Sequence, residues 1–117
     1  MNDVVRGSDL LPAAVIQNEL QRLLELPAPG WAHLPVMLTP DGRDKLSKQT
    51  GAAAVDAAQD AVGPLIEAWT FLGQPPPTGR PDTPEAFLAW AVERWDEQRV
   101  PTGTRLVADR EGGLRPA

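Results

Sequence analysis

The sequence predicts an α-rich α+β fragment, in which two short strands and one helix precede a small helical bundle. Three observations lead there. Two short runs with strand character, Val4-Val5 and 31–38, flank a helical pattern near the start. From Gly51 onward apolar residues recur at helical spacing. At 117 residues the chain is long enough for one compact domain and too short for two ordinary ones.

Val4-Val5 runs into Arg6-Gly7-Ser8-Asp9, where polar residues and a glycine after a β-branched pair mark a strand opening into a loop. A helix is expected over about 13–26, because Ile16, Leu20, Leu23 and Leu24 recur at i, i+4, i+7 and i+8 as one apolar stripe. Pro27, Pro29 and Gly30 stop it. The second extended run, 31–38, carries Pro35, which favours an edge or a bend. Pro40-Asp41-Gly42 then reads as a turn: proline fixes φ, the aspartate bonds its own backbone, and glycine supplies a positive φ. The two strands are expected to have no partners within the chain, and an isolated pair is marginal in water, so the front third reads as cut from a larger sheet.

Residues 52–62 are alanine-rich and expected to be helical. Gly63 interrupts them, and Pro64 suits the first turn of a new helix whose stripe is Leu65, Ile66, Trp69 and Leu72, with Gly73 as its C-terminal cap. Five prolines and two glycines make 73–84 a stiff, irregular connector. Thr83-Pro84-Glu85 signals a helix start, and Phe87, Leu88, Ala91, Val92 and Trp95 supply its stripe. After Pro101 the sequence loses periodicity, and 102–117 is expected to be a disordered tail.

Composition narrows the function. Eleven basic against sixteen acidic residues give a net charge of −5, which argues against a free-standing nucleic-acid binder. There is no cysteine, so thiol nucleophiles, disulfides and Cys-ligated zinc are excluded within the chain, and His33 is the single histidine. No apolar run approaches a membrane span and no signal peptide opens the sequence, so the expected compartment is the cytoplasm. Of the eleven basic residues nine are arginine, and the two lysines, Lys45 and Lys48, flank one of only two serines, Ser47. In an arginine-rich chain, lysine retained at one place hints that an ammonium is wanted there.

The loop 41–51 is therefore the informative stretch. Glycines at both ends hinge it, and two compact ammonium groups can approach a polyphosphate and withdraw. In nucleotidyl transfer, charge grows on the α-phosphate and on the departing pyrophosphate, and one preorganised donor there is worth about 3–4 kcal/mol. A solvated, polar hairpin tip would look the same in sequence.

Lys45-Leu46-Ser47-Lys48-Gln49 resembles the KMSKS-type loop of class I aminoacyl-tRNA synthetases. With Val4-Val5-Arg6-Gly7-Ser8-Asp9-Leu10-Leu11, then Leu20-Gln21-Arg22-Leu23-Leu24, His33-Leu34-Pro35 and Phe71-Leu72-Gly73-Gln74, the chain is similar in order, from about 3 to 101, to the glutamyl-queuosine tRNA(Asp) synthetases. The resemblance implies a ligase that activates L-glutamate with ATP and Mg2+ as an adenylate and esterifies it onto queuosine of tRNA(Asp). By it, Lys48, with Leu46 and Gln49, would contact ATP, Lys45 and Ser47 would close over the triphosphate, and Arg6 would hold the glutamate. A guanidinium suits that last task because it can pair a carboxylate through two parallel hydrogen bonds. Read on sequence alone, without the resemblance, Arg6 is expected to form a surface ion pair with Asp9, and Asp9 is a loop-ordering or capping acid. His33, Trp69, Phe71, Trp90 and Trp95 read as structural, and Arg94, Arg99 and the tail arginines as a solvated face.

The resemblance also implies a division: 1–50 as the C-terminal remnant of a Rossmann-type catalytic domain, 51–101 as a helical subdomain, and the tail. The family's HIGH-type motif, its zinc-binding Cys-rich segment and a glutamate-binding tyrosine are not in this sequence, so the chain is expected to be a monomeric C-terminal half, incomplete for catalysis by itself, with a separate N-terminal half as a possible partner. Ala13-Ala14-Val15-Ile16 stands where the family has a Ser-Thr-Pro-Arg type helix start, and one extra residue precedes Lys45. Two alternatives stay open: a fragment of glutamyl-tRNA synthetase, and a non-catalytic helical interaction module docking through exposed strand edges near Val4 and Val36.

Overall fold

The computed structural model describes residues 1–47, 54–56, 58–102, 106–108 and 114–116. The chain divides into two compact units, Met1–Leu46 with Thr102–Ala117, and Ser47–Pro101.

In the first unit, strand β1 (Asp3–Gly7) leads through a 3-10 turn (Ser8–Leu10) into helix α1 (Leu11–Leu23), then β2 (Gly30–Leu34) and β3 (Met37–Leu38). β1 and β2 pair in parallel from Asp3↔Gly30 to Gly7↔Leu34, so the expectation that the strands find no partner within the chain is corrected. The strand–helix–strand order supplies the crossover that a parallel pair requires. Because side chains alternate along a strand, Val4, Arg6, Trp31 and His33 share one face of this pair. Pro35, which has no N–H to donate, and Val36 separate β2 from β3.

α1 ends earlier than its apolar pattern. Leu26 N–H donates to Gln21 C=O at 2.9 Å and Glu25 N–H to Arg22 C=O at 3.2 Å, with Glu25 at φ 55°, the left-handed cap usually filled by glycine. The apolar stripe of this helix is exposed. Ile16 is 72% exposed and Leu23 65%, while Ala14 is the buried residue of this helix.

β3 pairs in parallel with β4 (Leu106–Ala108), and β4 pairs antiparallel with β5 (Leu114–Pro116). These strands lie in the segment expected to be a disordered tail. Leu106-Val107-Ala108 is a short apolar run with a β-branched centre, enough to add to a free strand edge.

In the second unit, helix α2 (Gly63–Phe71) and helix α3 (Pro84–Arg94) pack through Trp69, Phe87 and Ala91, with Leu65, Ile66 and Trp90 partly buried against them. Trp69 and Phe87 meet edge to face at 6.0 Å, a favourable arrangement of their ring quadrupoles. Thr83 caps α3 by accepting from Ala86 N–H at 3.2 Å. Leu88 and Val92 of the expected stripe are 51% and 79% exposed, and Trp95, read as structural, is 44% exposed. Residues 54–56 and 58–62 are not helical, a second correction. Asp56 and Asp60 take the backbone N–H groups of Ala58, Val62 and Gly63 onto their carboxylates, and such local bonds compete with a helix that has little apolar surface to bury. After α3, Glu97–Arg99 forms a 3-10 turn. Gly73 sits at φ 74°, and a Cβ there would lie 2.3 Å from the Arg99 carbonyl oxygen.

Candidate functional site

Arg6 lies one residue before the carboxyl end of β1, the end of a parallel sheet at which ligands bind in open α/β folds. Its guanidinium carbon stands 4.5 Å over the Trp31 ring, and Nη2 donates to Gln17 Oε1 at 2.7 Å. The ring and the amide fix the plane of the fork from two directions, from β2 and from α1. Trp31 in turn stacks on His33, 6.1 Å away and within 13° of parallel. His33 Nε2 and Ser8 Oγ are buried without a hydrogen-bond partner.

Asp9 follows on the 3-10 turn, and its Oδ2 accepts from Lys45 Nζ at 2.9 Å. The approach depends on Gly7: a Cβ there would come within 2.3 Å of Asp9 Oδ1 and 2.9 Å of Val36 Cγ1. The pair is half-exposed, with 55% of the Lys45 side chain and 30% of the Asp9 side chain open.

The turn that delivers Lys45 follows its sequence. Gly42 adopts φ 73° and donates to Thr39 C=O at 2.7 Å, and Asp41 Oδ1 accepts from Arg43 N–H at 3.2 Å. The Thr39 hydroxyl, then the Arg43 amide, hold the Asp41 carboxyl below the usual carboxylate range. Thr39 N–H donates to Asp44 C=O at 2.8 Å and Leu46 N–H to Met37 C=O at 2.8 Å, while Leu38 bridges Lys45. Residues 39–44 thus close a turn of their own.

Of the residues singled out by sequence, the structure brings Lys45 to Asp9 and places Arg6 three positions before Asp9. Leu46 and Ser47 are half-buried. Lys48 and Gln49 lie outside the described residues. Sequence reasoning did not single out Trp31 and Gln17 as partners of Arg6. The parallel register was the missing signal, since it puts Trp31 opposite Val4 and hence beside Arg6 on one face. The residues present do not fit a zinc site: the chain has no cysteine, and among the described residues no three His, Asp or Glu side chains could hold a metal ion. No described helix is long and apolar enough to cross a membrane.

No family model matches the chain. Among solved structures, a glutamate tRNA ligase from Elizabethkingia meningosepticum, in complex with its amino acid, superposes with a TM-score of 0.54 at 24% identity. The match covers 86% of this chain and 23% of that one. The fold of this chain is thus that of a segment of that glutamate tRNA ligase. Curated relatives are closer in sequence. The glutamyl-Q tRNA(Asp) synthetase of Aromatoleum aromaticum is 48% identical over 97% of this chain, and that of Methylococcus capsulatus 43% over 97%. The protein of that name from Ectopseudomonas mendocina is 41% identical over 92%. The chain is thus homologous to proteins named glutamyl-Q tRNA(Asp) synthetase along nearly its whole length, and it spans 35–36% of the length of these three relatives.

Proposed function

We propose that this chain supplies the C-terminal part of a ligase that activates L-glutamate with ATP and transfers it to queuosine of tRNA(Asp). Homology along nearly the whole chain is the observation that carries this reading. In it, Arg6 receives the glutamate carboxylate. Its plane is already set by Trp31 and Gln17, so little side-chain freedom is lost when hydrogen bonds to the carboxylate form. Lys45, Ser47 and Lys48 bring positive charge and a hydroxyl to the triphosphate, with Leu46 and Gln49 shaping the loop around ATP. Mg2+ enters with ATP as part of the substrate. The Asp9 carboxylate holds Lys45 until phosphate competes for it.

The chain spans little more than a third of its relatives, so the test supplies the remainder. Labelled glutamate, ATP and queuosine-bearing tRNA(Asp) are mixed with this chain and the complementary portion of the Aromatoleum aromaticum relative. Labelled tRNA is expected only when both polypeptides are present and is lost with Arg6→Ala. Transfer that is unchanged by Arg6→Ala, or that the complementary portion performs alone, would remove this reading.

A further inference from the structure

We infer that Trp31 and His33 are positioning residues for Arg6, and that His33 acts through the face of its ring and not through its nitrogens. This rests on the reading of Arg6 as the group that holds glutamate, and deepens it by naming what sets its aim.

The strand register explains how the three side chains meet. Arg6 stands directly opposite His33, and Val4 opposite Trp31. The guanidinium nevertheless lies over the diagonal neighbour, its carbon 4.5 Å from the centre of the Trp31 ring. A long side chain can reach a diagonal partner on its own face, and the indole face is the best aromatic seat for a cation. That seat is only as fixed as the indole itself. Residues two apart on a strand share a face, and His33 uses that spacing to lie 6.1 Å from Trp31 with the rings within 13° of parallel. The imidazole thereby limits the tilt of the indole, and the indole limits the tilt of the guanidinium. Gln17 Oε1, accepting from Arg6 Nη2 at 2.7 Å, restrains rotation within the plane.

A histidine beside a candidate active site invites a role as acid, base or ligand. Here Nε2 is buried without a hydrogen-bond partner, so that nitrogen neither donates nor accepts. What His33 supplies is a flat surface against Trp31. A buried polar atom left unpaired costs free energy, so a ring without nitrogens should serve this position as well as imidazole does.

The consequence is kinetic. A fork held in one orientation grips a carboxylate alike in the bound substrate and in the transition state. Loosening it therefore raises KM for glutamate and leaves kcat nearly as it was.

Two readouts test this. On the full 117-residue chain by itself, NMR follows the δ-methylene and Nε–H resonances of Arg6, which the indole ring current should move upfield. Trp31→Leu should abolish that shift and His33→Ala reduce it, while His33→Phe restores it. In the mixture with the complementary portion of the Aromatoleum aromaticum relative, glutamate-dependent ATP–pyrophosphate exchange separates KM from kcat. Trp31→Leu is expected to raise KM for glutamate about 3–30-fold, His33→Ala about 2–5-fold, and His33→Phe to return it to the starting value. Circular dichroism confirms that each variant stays folded; should Trp31→Leu unfold, the Arg6 shift of the unaltered chain and the two His33 variants decide. An unshifted Arg6 in the unaltered chain, an Arg6 indifferent to Trp31→Leu, or a His33→Phe variant as impaired as His33→Ala would each overturn the proposal. So would a fall in kcat at unchanged KM. Arg6 shifts as expected, with no exchange even from the unaltered mixture, would keep the positioning stack and remove the glutamate reading.

Discussion

Lys45 Nζ lies 2.9 Å from Asp9 Oδ2, joining residues 36 positions apart in sequence. The bond ties the first lysine of the KLSKQ segment to the turn that follows β1. Both groups keep contact with water, so the tie is light: an exposed pair contributes at most about 1 kcal/mol and weakens in salt. A light tie suits a loop proposed to give its ammonium to a phosphate.

Asp9→Asn is accordingly expected to cost at most about 1 kcal/mol of stability in low salt, and less in about 1 M salt. Urea denaturation at the two ionic strengths checks this. A loss of several kcal/mol, insensitive to salt, would show that Asp9 carries the fold rather than the loop.

Glu25 occupies a left-handed backbone position at φ 55°. Glu25→Gly should stabilise the end of α1 by about 1 kcal/mol, the usual cost of a side chain in that conformation. A rise in the urea midpoint at unchanged slope is the expected reading.

Gln74 is buried to 3% exposure, where Nε2 donates to Asp96 C=O at 2.8 Å and Oε1 accepts from Asp96 N–H at 3.0 Å. Gln74→Leu keeps much of the volume and abandons both backbone groups. The expected cost is about 1–3 kcal/mol, read as a lower denaturation midpoint of the helical unit. Substitution at the exposed neighbour Pro75 offers the comparison at which no such bond is lost.

The Arg80 guanidinium, then the Gly63 amide, hold the Asp60 carboxyl below its ordinary value. A carboxyl depressed on folding stabilises the fold above its unfolded value, about 3.9, and loses that contribution as pH falls through the lower folded value. The helical unit should therefore lose stability on acidification below about pH 4, and Asp60→Asn should flatten that part of the curve. Circular dichroism of the two chains across that range compares them; parallel curves would assign the acid sensitivity to other carboxyls.

Local chemistry was legible in the sequence where one residue type has one use. Thr83-Pro84 starts α3, Gly73 and Gly42 take positive φ, and Asp41 closes its turn on the Arg43 amide. Long-range pairing was not legible, because the register of β1 on β2 depends on contacts between segments with no shared local signal. The partners of Arg6 were hidden for that reason. The stripe of α1 was legible as apolar, while its exposure was not: periodicity tells which face seeks burial and says nothing of what covers it. Across 54–56 and 58–62 alanine content pointed to helix, while Asp56 and Asp60 bonding the backbone decided against it.

The central claim is that this chain carries the phosphate-facing loop of a glutamate-activating ligase. Glutamate-dependent ATP–pyrophosphate exchange tests it most directly, with this chain alone, with the complementary portion of the relative, and with Lys48→Ala in the mixture. The account predicts exchange in the mixture only, lost with Lys48→Ala. No exchange from a mixture shown to be folded and associated, or exchange indifferent to Lys48→Ala, would contradict it.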